Sequence, residues 1–134
     1  MKTVAAVAGV AASGALVACG PPFGVVGAGS ASALAVGDVK VVPGASAAIA
    51  RDAQGVYAMT LVCTHEGCDM SLDGLVSASG IDCTCHGSRF DVDGNVLSGP
   101  ASSPLQHYQV TADAQGNLTI DGNVPVPATT RLAV

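Results

Sequence analysis

Two short boxes, Cys63-Thr64-His65-Glu66-Gly67-Cys68 and Cys83-Thr84-Cys85-His86-Gly87-Ser88, decide how this chain is read. Four of its five cysteines and two of its three histidines fall within them. Soft and borderline donors gathered in this way mark a metal site. Thiolate and imidazole together suit iron–sulfur, zinc and copper centres. A structural zinc closes with four ligands in a tetrahedron. The boxes offer more than that, with one cysteine per box in surplus. Outside the cytoplasm such a pair is a candidate for a disulfide.

The flanks of the boxes read as short strands separated by turns. Val39 to Val42 is an apolar run closed by Pro43-Gly44. Ala47 to Arg51 and Val56 to Leu61 flank the turn sequence Asp52-Ala53-Gln54-Gly55, a hairpin that leads into the first box. Leu75 to Ser77 and Ile81-Asp82 form a second hairpin around Ser79-Gly80, leading into the second box. Arg89 to Val92 with Val96-Leu97, and Leu105 to Val110 with Asn117 to Ile120, make two more. No long run shows a helical apolar period. The chain is therefore expected to be all-β, with antiparallel sheets in a sandwich or open barrel. Aromatic residues make up only 3% of the chain, so its core must be built from small aliphatic side chains, and cross-links would help it.

The first residues read as a leader. Thr3 to Ala15 is rich in alanine, valine and glycine and suits a signal-peptide apolar region. It ends in Leu16-Val17-Ala18-Cys19-Gly20, which resembles a bacterial lipobox. That resemblance implies removal of residues 1–18 and lipidation of Cys19. An uncleaved helix from Thr3 to Cys19 would be about 25 Å long, short of the ~30 Å hydrocarbon core. Residues 19–35 read as a flexible tether, 36–124 as one folded domain with loops 63–68 and 83–88, and 125–134 as an irregular edge tail.

The two boxes resemble those of Rieske iron–sulfur proteins of the disulfide-bearing type found in quinol-oxidising cytochrome bc complexes. The resemblance implies a Rieske-like fold with a small cluster-binding subdomain. It implies a 2Fe–2S cluster with one iron on Cys63 and Cys83 and the other on His65 and His86. It makes Cys68 and Cys85 the disulfide. Ser88 matches a serine whose hydroxyl donates to cluster sulfur, and Gly99-Pro100-Ala101 matches a loop that covers the cluster. The implied role is one-electron transfer in quinol-linked respiration, with no independent catalytic site. A membrane quinol-oxidising complex (cytochrome b) would be the donor and a c-type cytochrome an acceptor. The domain would lie in the cell envelope outside the cytoplasm, held by its lipid. Two other readings are the small subunit of a dedicated oxidase of the arsenite oxidase type and a zinc-stapled binding module.

One position departs from the pattern. High-potential members carry a tyrosine two residues after the serine, where this chain has Phe90. Loss of that hydrogen bond predicts a lower potential. The net charge is −5 with no basic patch, which argues against nucleic-acid binding. Glu66, Asp69, Asp73, Asp82, Asp91 and Asp93 crowd the boxes, either as a solvated face or as a rim that steers a basic partner. His107 is expected to be an exposed strand residue, and Tyr57 and Tyr108 core-edge aromatics.

Overall fold

A computed structural model describes residues 23–134; the expected signal segment 1–18 and Cys19 lie outside the described residues. Ten strands follow in order: β1 (Val25–Ser30), β2 (Val39–Val41), β3 (Ala47–Asp52), β4 (Gly55–Thr60), β5 (Gly74–Ser77), β6 (Gly80–Cys83), β7 (Arg89–Phe90), β8 (Val96–Ser98), β9 (His107–Ala112) and β10 (Asn117–Val126). They form a six-stranded sheet in the order β1-β10-β9-β4-β3-β2, curled as a half-barrel, and a four-stranded sheet in the order β5-β6-β7-β8. Every pairing is antiparallel. All four expected hairpins are present. Among the described residues no helix is long and apolar enough to cross a membrane.

The central hairpin explains how a core poor in aromatics is filled. β3 opens with four buried residues and β4 is buried throughout, because both faces of the sheet are covered there. Across the hairpin a small side chain meets a large one: Ala48 faces Met59, Ala50 faces Tyr57 and Ala58 faces Ile49. Such alternation lets the layers interdigitate without voids. One face joins Met70, Ile81, Phe90, Leu105, Cys63 and Cys83 in a core between the two sheets. The other joins Leu34, Val42, Leu118 and Ile120 inside the curl of the larger sheet.

Two expectations are corrected. The tether over 19–35 is in its later part a strand: β1 pairs with β10, with Val25 opposite Asp121 and Ser30 opposite Asn117, and a 3-10 turn follows at Ala31–Ala33. Phe23 packs edge-on against Tyr108 with ring centroids 5.3 Å apart. A Cβ on Gly122 would collide with Phe23, so the glycine admits this close approach. The glycine-, serine- and alanine-rich composition that mimics a linker here forms a strand because its main chain pairs with a segment far along the sequence.

His107 is not exposed. It lies in β9, only 2% accessible, stacked on Tyr57 at 5.5 Å with the rings nearly parallel. Its Nε2 lies 2.7 Å from the Asp93 carbonyl oxygen. Burial lowers its pKa below the ordinary histidine value, against the opposing pull of that carbonyl and of Asp93.

Beyond Val126 the tail is tied to the body of the domain. Leu132 bridges Val56 through two main-chain hydrogen bonds of 2.8 Å. The Arg131 guanidinium lies 3.9 Å above the Tyr57 ring and reaches Asp52 and Asp93, each at 2.8 Å. It thereby clamps the β3–β4 turn to the β7–β8 turn. The Tyr57 hydroxyl donates to Val92 O at 2.7 Å, so the same turn is gripped from beneath. Burial, reinforced by the Asp93 charge, raises the Tyr57 pKa to about 12.

Candidate metal centre

The two boxes fold as matching knuckles. In the first, the Cys63 N–H donates to Cys68 O at 2.8 Å and the Gly67 N–H to Cys63 O at 2.9 Å. In the second, the Cys83 N–H donates to Ser88 O at 2.8 Å and the Gly87 N–H to Cys83 O at 3.0 Å. Gly67 and Gly87 occupy equivalent positions with φ of 78° and 85°. A side chain there would have room but not the left-handed backbone, which is why both boxes carry glycine. Position for position, His65 matches Cys85 and Cys68 matches Ser88. The knuckles therefore present their histidines one residue out of step.

The flanking strands fix where the knuckles sit. Box one leaves β4 through Leu61 and Val62, and Val62 bridges Asp69 on its return. The Asp69 carboxylate accepts from the Ser46 hydroxyl at 2.6 Å and from Ser71. Burial pushes its pKa up, but those hydrogen bonds outweigh it and hold the pKa below the ordinary value. Box two runs directly from the end of β6 to the start of β7.

Within this frame the donors sort by burial. Cys63 and Cys83 are free thiols, 2% and 1% accessible. Cys68 and Cys85 form a disulfide with Cα atoms 6.6 Å apart, which staples one knuckle to the other. The His65 and His86 rings meet edge to face with centroids 4.9 Å apart. Nδ1 of His65 is buried and has no hydrogen-bond partner. Nδ1 of His107 is likewise unpartnered, but His65 shares its box with the buried free thiol of Cys63, so its nitrogen is available as a ligand. The Nε2 atoms of His65 and His86 lie 3.7 and 3.8 Å from the two carboxylate oxygens of Glu66. The Cys68, Cys83 and Cys85 sulfurs lie within 4.8 Å of one another, but the disulfide takes two of them. Two thiolates and two imidazoles remain, and this donor set fits a 2Fe–2S cluster of mixed ligation.

The segment from Gly99 to Ser103 is fastened to both knuckles. The Ala101 N–H donates to the buried Ser88 hydroxyl at 2.9 Å. The Thr64 hydroxyl donates to Ser103 O at 2.6 Å. Its counterpart Thr84 donates from its hydroxyl to Asp73 O at 2.7 Å, tying box two to the approach of β5. The two threonines were not singled out from the sequence. Their signal was the Cys-Thr pair that opens each box.

The acidic cluster resolves into separate local roles. Asp69 is held by serines, Asp82 by Arg89 at 2.9 Å, and Asp93 by Arg131. Asp91 accepts from the N–H groups of Asp93 and Asn95 in its own turn. Of the six, Glu66 is the one that reaches the histidine pair.

An all-β fold whose paired knuckles present two thiols and two imidazoles defines a small iron–sulfur protein. The chain belongs to the Rieske [2Fe-2S] domain family, whose model matches residues 25–109. It is 42% identical over 53 residues to the cytochrome b6-f complex iron-sulfur subunit of Chlorobaculum tepidum, covering 40% of this chain and 28% of that protein. It is 40% identical over 73 residues to the cytochrome bc1 complex Rieske iron-sulfur subunit of Corynebacterium efficiens, covering 53% of this chain and 18% of that one. The match thus spans less than a third of either relative. The plasma membrane Rieske protein of Synechocystis PCC 6803 superposes with a TM-score of 0.55 at 25% identity, over 72% of this chain and 98% of that one. An oxygenase–ferredoxin complex of carbazole 1,9a-dioxygenase contains a chain that superposes at 0.54 and 27% identity, over 77% of this chain and 97% of that one.

Proposed function

We propose that this Rieske protein holds its 2Fe–2S cluster through Cys63 and Cys83 on one iron and His65 and His86 on the other. It would carry single electrons from a membrane quinol-oxidising complex to an acceptor such as a c-type cytochrome. The observation that carries the ligand assignment is the disulfide between Cys68 and Cys85, which leaves Cys63 and Cys83 as the buried free thiols of the boxes; the unpartnered Nδ1 of His65 adds to it. When bound, the cluster supplies reversible one-electron chemistry at a potential above that of all-cysteine clusters, because two neutral imidazoles replace two thiolates. The chain's residues do the rest. Cys63 and Cys83 anchor the cluster in the core. His65 and His86 would bind through Nδ1, leaving their Nε2 atoms, beside the Glu66 carboxylate, for contact with a partner. Ser88 donates to cluster sulfur, and Ala101 and Pro100 shed water from it. Glu66 adds a negative charge at the contact face, which favours a partner with a cationic docking surface.

Iron and sulfide content of single variants tests the assignment. Cys63→Ser, His65→Asn, Cys83→Ser and His86→Asn are each expected to abolish cluster binding, whereas Ser88→Ala retains it. A His65→Asn chain that keeps its full iron content overturns the assignment. The same proposal places the domain on the outer face of a membrane through lipid on Cys19. Cys19→Ser is expected to release the protein from the membrane fraction, and retention there counts against the anchor.

A further inference from the structure

The sulfurs of Cys68, Cys83 and Cys85 are all within 4.8 Å of one another. Two of them are joined as a disulfide, and the third is a buried free thiol. Cys63, the other free thiol of the boxes, does not belong to this trio. We infer that Cys83 and the Cys68–Cys85 bridge form an intramolecular thiol–disulfide exchange site, closed while iron occupies Cys83 and opened when the cluster is lost. The inference rests on Cys83 being an iron ligand, as proposed above.

The chemistry balances within the chain. Departing iron leaves Cys83 as a thiolate, the form that attacks disulfides. Cys83 Sγ attacks Cys68 Sγ, forming a Cys68–Cys83 bond as the Cys68–Cys85 bond breaks. The electron pair of that bond leaves on Cys85 Sγ, which then takes a proton from water. One thiolate is consumed and one is released, so no outside oxidant or reductant is needed. Cys85 is the better leaving group because it is exposed and its thiolate is solvated, whereas Cys68 is half-buried. The attacking sulfur already lies within 4.8 Å of its target, so the reaction has the advantage of an intramolecular encounter.

The consequence is directional. The exchange removes Cys83 from the ligand set, so a chain that loses its cluster closes its own metal site. It also exposes a new reactive thiol at Cys85 as a mark of that loss. Iron on Cys83 is what keeps the native bridge in place.

The test is a disulfide map of the full chain carrying Cys19→Ser, so that labelled thiols come only from the boxes. Holoprotein is divided, and one half loses its iron to a chelator without air or added thiol. Both halves are quenched in acid and labelled with N-ethylmaleimide as they unfold. The holoprotein is expected to label at Cys63 and Cys83 with Cys68–Cys85 intact. The iron-free sample is expected to lose label at Cys83, gain it at Cys85 and contain a Cys68–Cys83 bridge. The label on Cys85 is expected to vanish when Cys83→Ser is added. Identical maps before and after iron removal overturn the inference, as does a Cys85 label that persists in the Cys83→Ser chain. Iron content separates this from the ligand assignment: a Cys83→Ser chain that still binds two irons refutes the assignment whatever the map shows.

Discussion

The main-chain N–H of Ala101 donates to the hydroxyl oxygen of Ser88 at 2.9 Å, and both residues are buried. Because that oxygen is engaged as an acceptor, the single hydroxyl proton of Ser88 is left to donate elsewhere. One serine thus holds the Gly99-Pro100-Ala101 loop and, in the proposed site, keeps its proton for cluster sulfur. Ser88→Ala removes both. The orphaned Ala101 N–H is expected to cost about 1–3 kcal/mol of stability. The lost donor is expected to lower the midpoint potential by about 20–65 mV, the one-electron equivalent of 0.5–1.5 kcal/mol. Thermal unfolding and potentiometry read the two effects separately, and an unchanged potential removes Ser88 from the cluster's surroundings.

Phe90 fills the position two residues beyond Ser88 and is fully buried in the core that contains Cys63 and Cys83. Its ring has no donor. Phe90→Tyr introduces one in the same shape and is expected to raise the potential by a similar ~20–65 mV if the hydroxyl reaches a ligand sulfur. Potentiometry of the variant with its iron content intact checks this. A fall in stability without a rise in potential shows that the hydroxyl is buried without a partner.

Arg131 joins the tail to two turns at once through Asp52, Asp93 and the Tyr57 ring. Both aspartates are about a third or more exposed, so screening discounts the ion pairs. Together with the cation–π contact, Arg131→Ala is expected to cost about 1–3 kcal/mol. Arg131→Lys is expected to recover only part of this, since a point charge cannot span both carboxylates and the ring. Denaturant unfolding of the two variants measures the difference.

His107 sets a pH dependence. Its folded-state pKa lies below the ordinary value of 6.5, so the unfolded chain binds the extra proton first. Its contribution to stability is complete above that value and is lost as pH falls from 6.5 toward the folded pKa. Protonation must contend with Arg131 nearby and is eased by Asp91 and Asp93. The expected slope is at most about 1.4 kcal/mol per pH unit in that window. His107→Gln is expected to flatten the curve as pH falls below 6.5, relative to the parent chain, in thermal unfolding.

Local chemistry made most of this molecule legible in advance. The four hairpins follow turn residues such as Asp52 to Gly55, and the boxes declare themselves by donor type. What escaped the sequence reading depends on contacts between distant segments. β1 is a strand only because β10 is beside it, and its small residues carry no apolar signal of their own. His107 has polar neighbours in sequence, but its ring stacks on Tyr57 and its Nε2 meets the Asp93 carbonyl, both from other hairpins. The acidic cluster contains separate anchors, because Asp69 and Asp93 meet Ser46 and Arg131 from distant parts of the chain. Thr64 and Thr84 were overlooked since a hydroxyl beside a cysteine acquires meaning only when a carbonyl from a distant loop meets it.

The central claim is that two histidines and two cysteines of the boxes hold a 2Fe–2S cluster, and one spectrum tests it most directly. Electron paramagnetic resonance of the reduced protein, with pulsed detection of nitrogen couplings and with iron and sulfide counted on the same sample, addresses ligand type and metal together. The expected result is a coloured protein with two irons and two sulfides per chain and couplings from two imidazole nitrogens, lost in His65→Asn and His86→Asn. A colourless protein carrying one zinc, or a cluster without nitrogen couplings, would contradict the account.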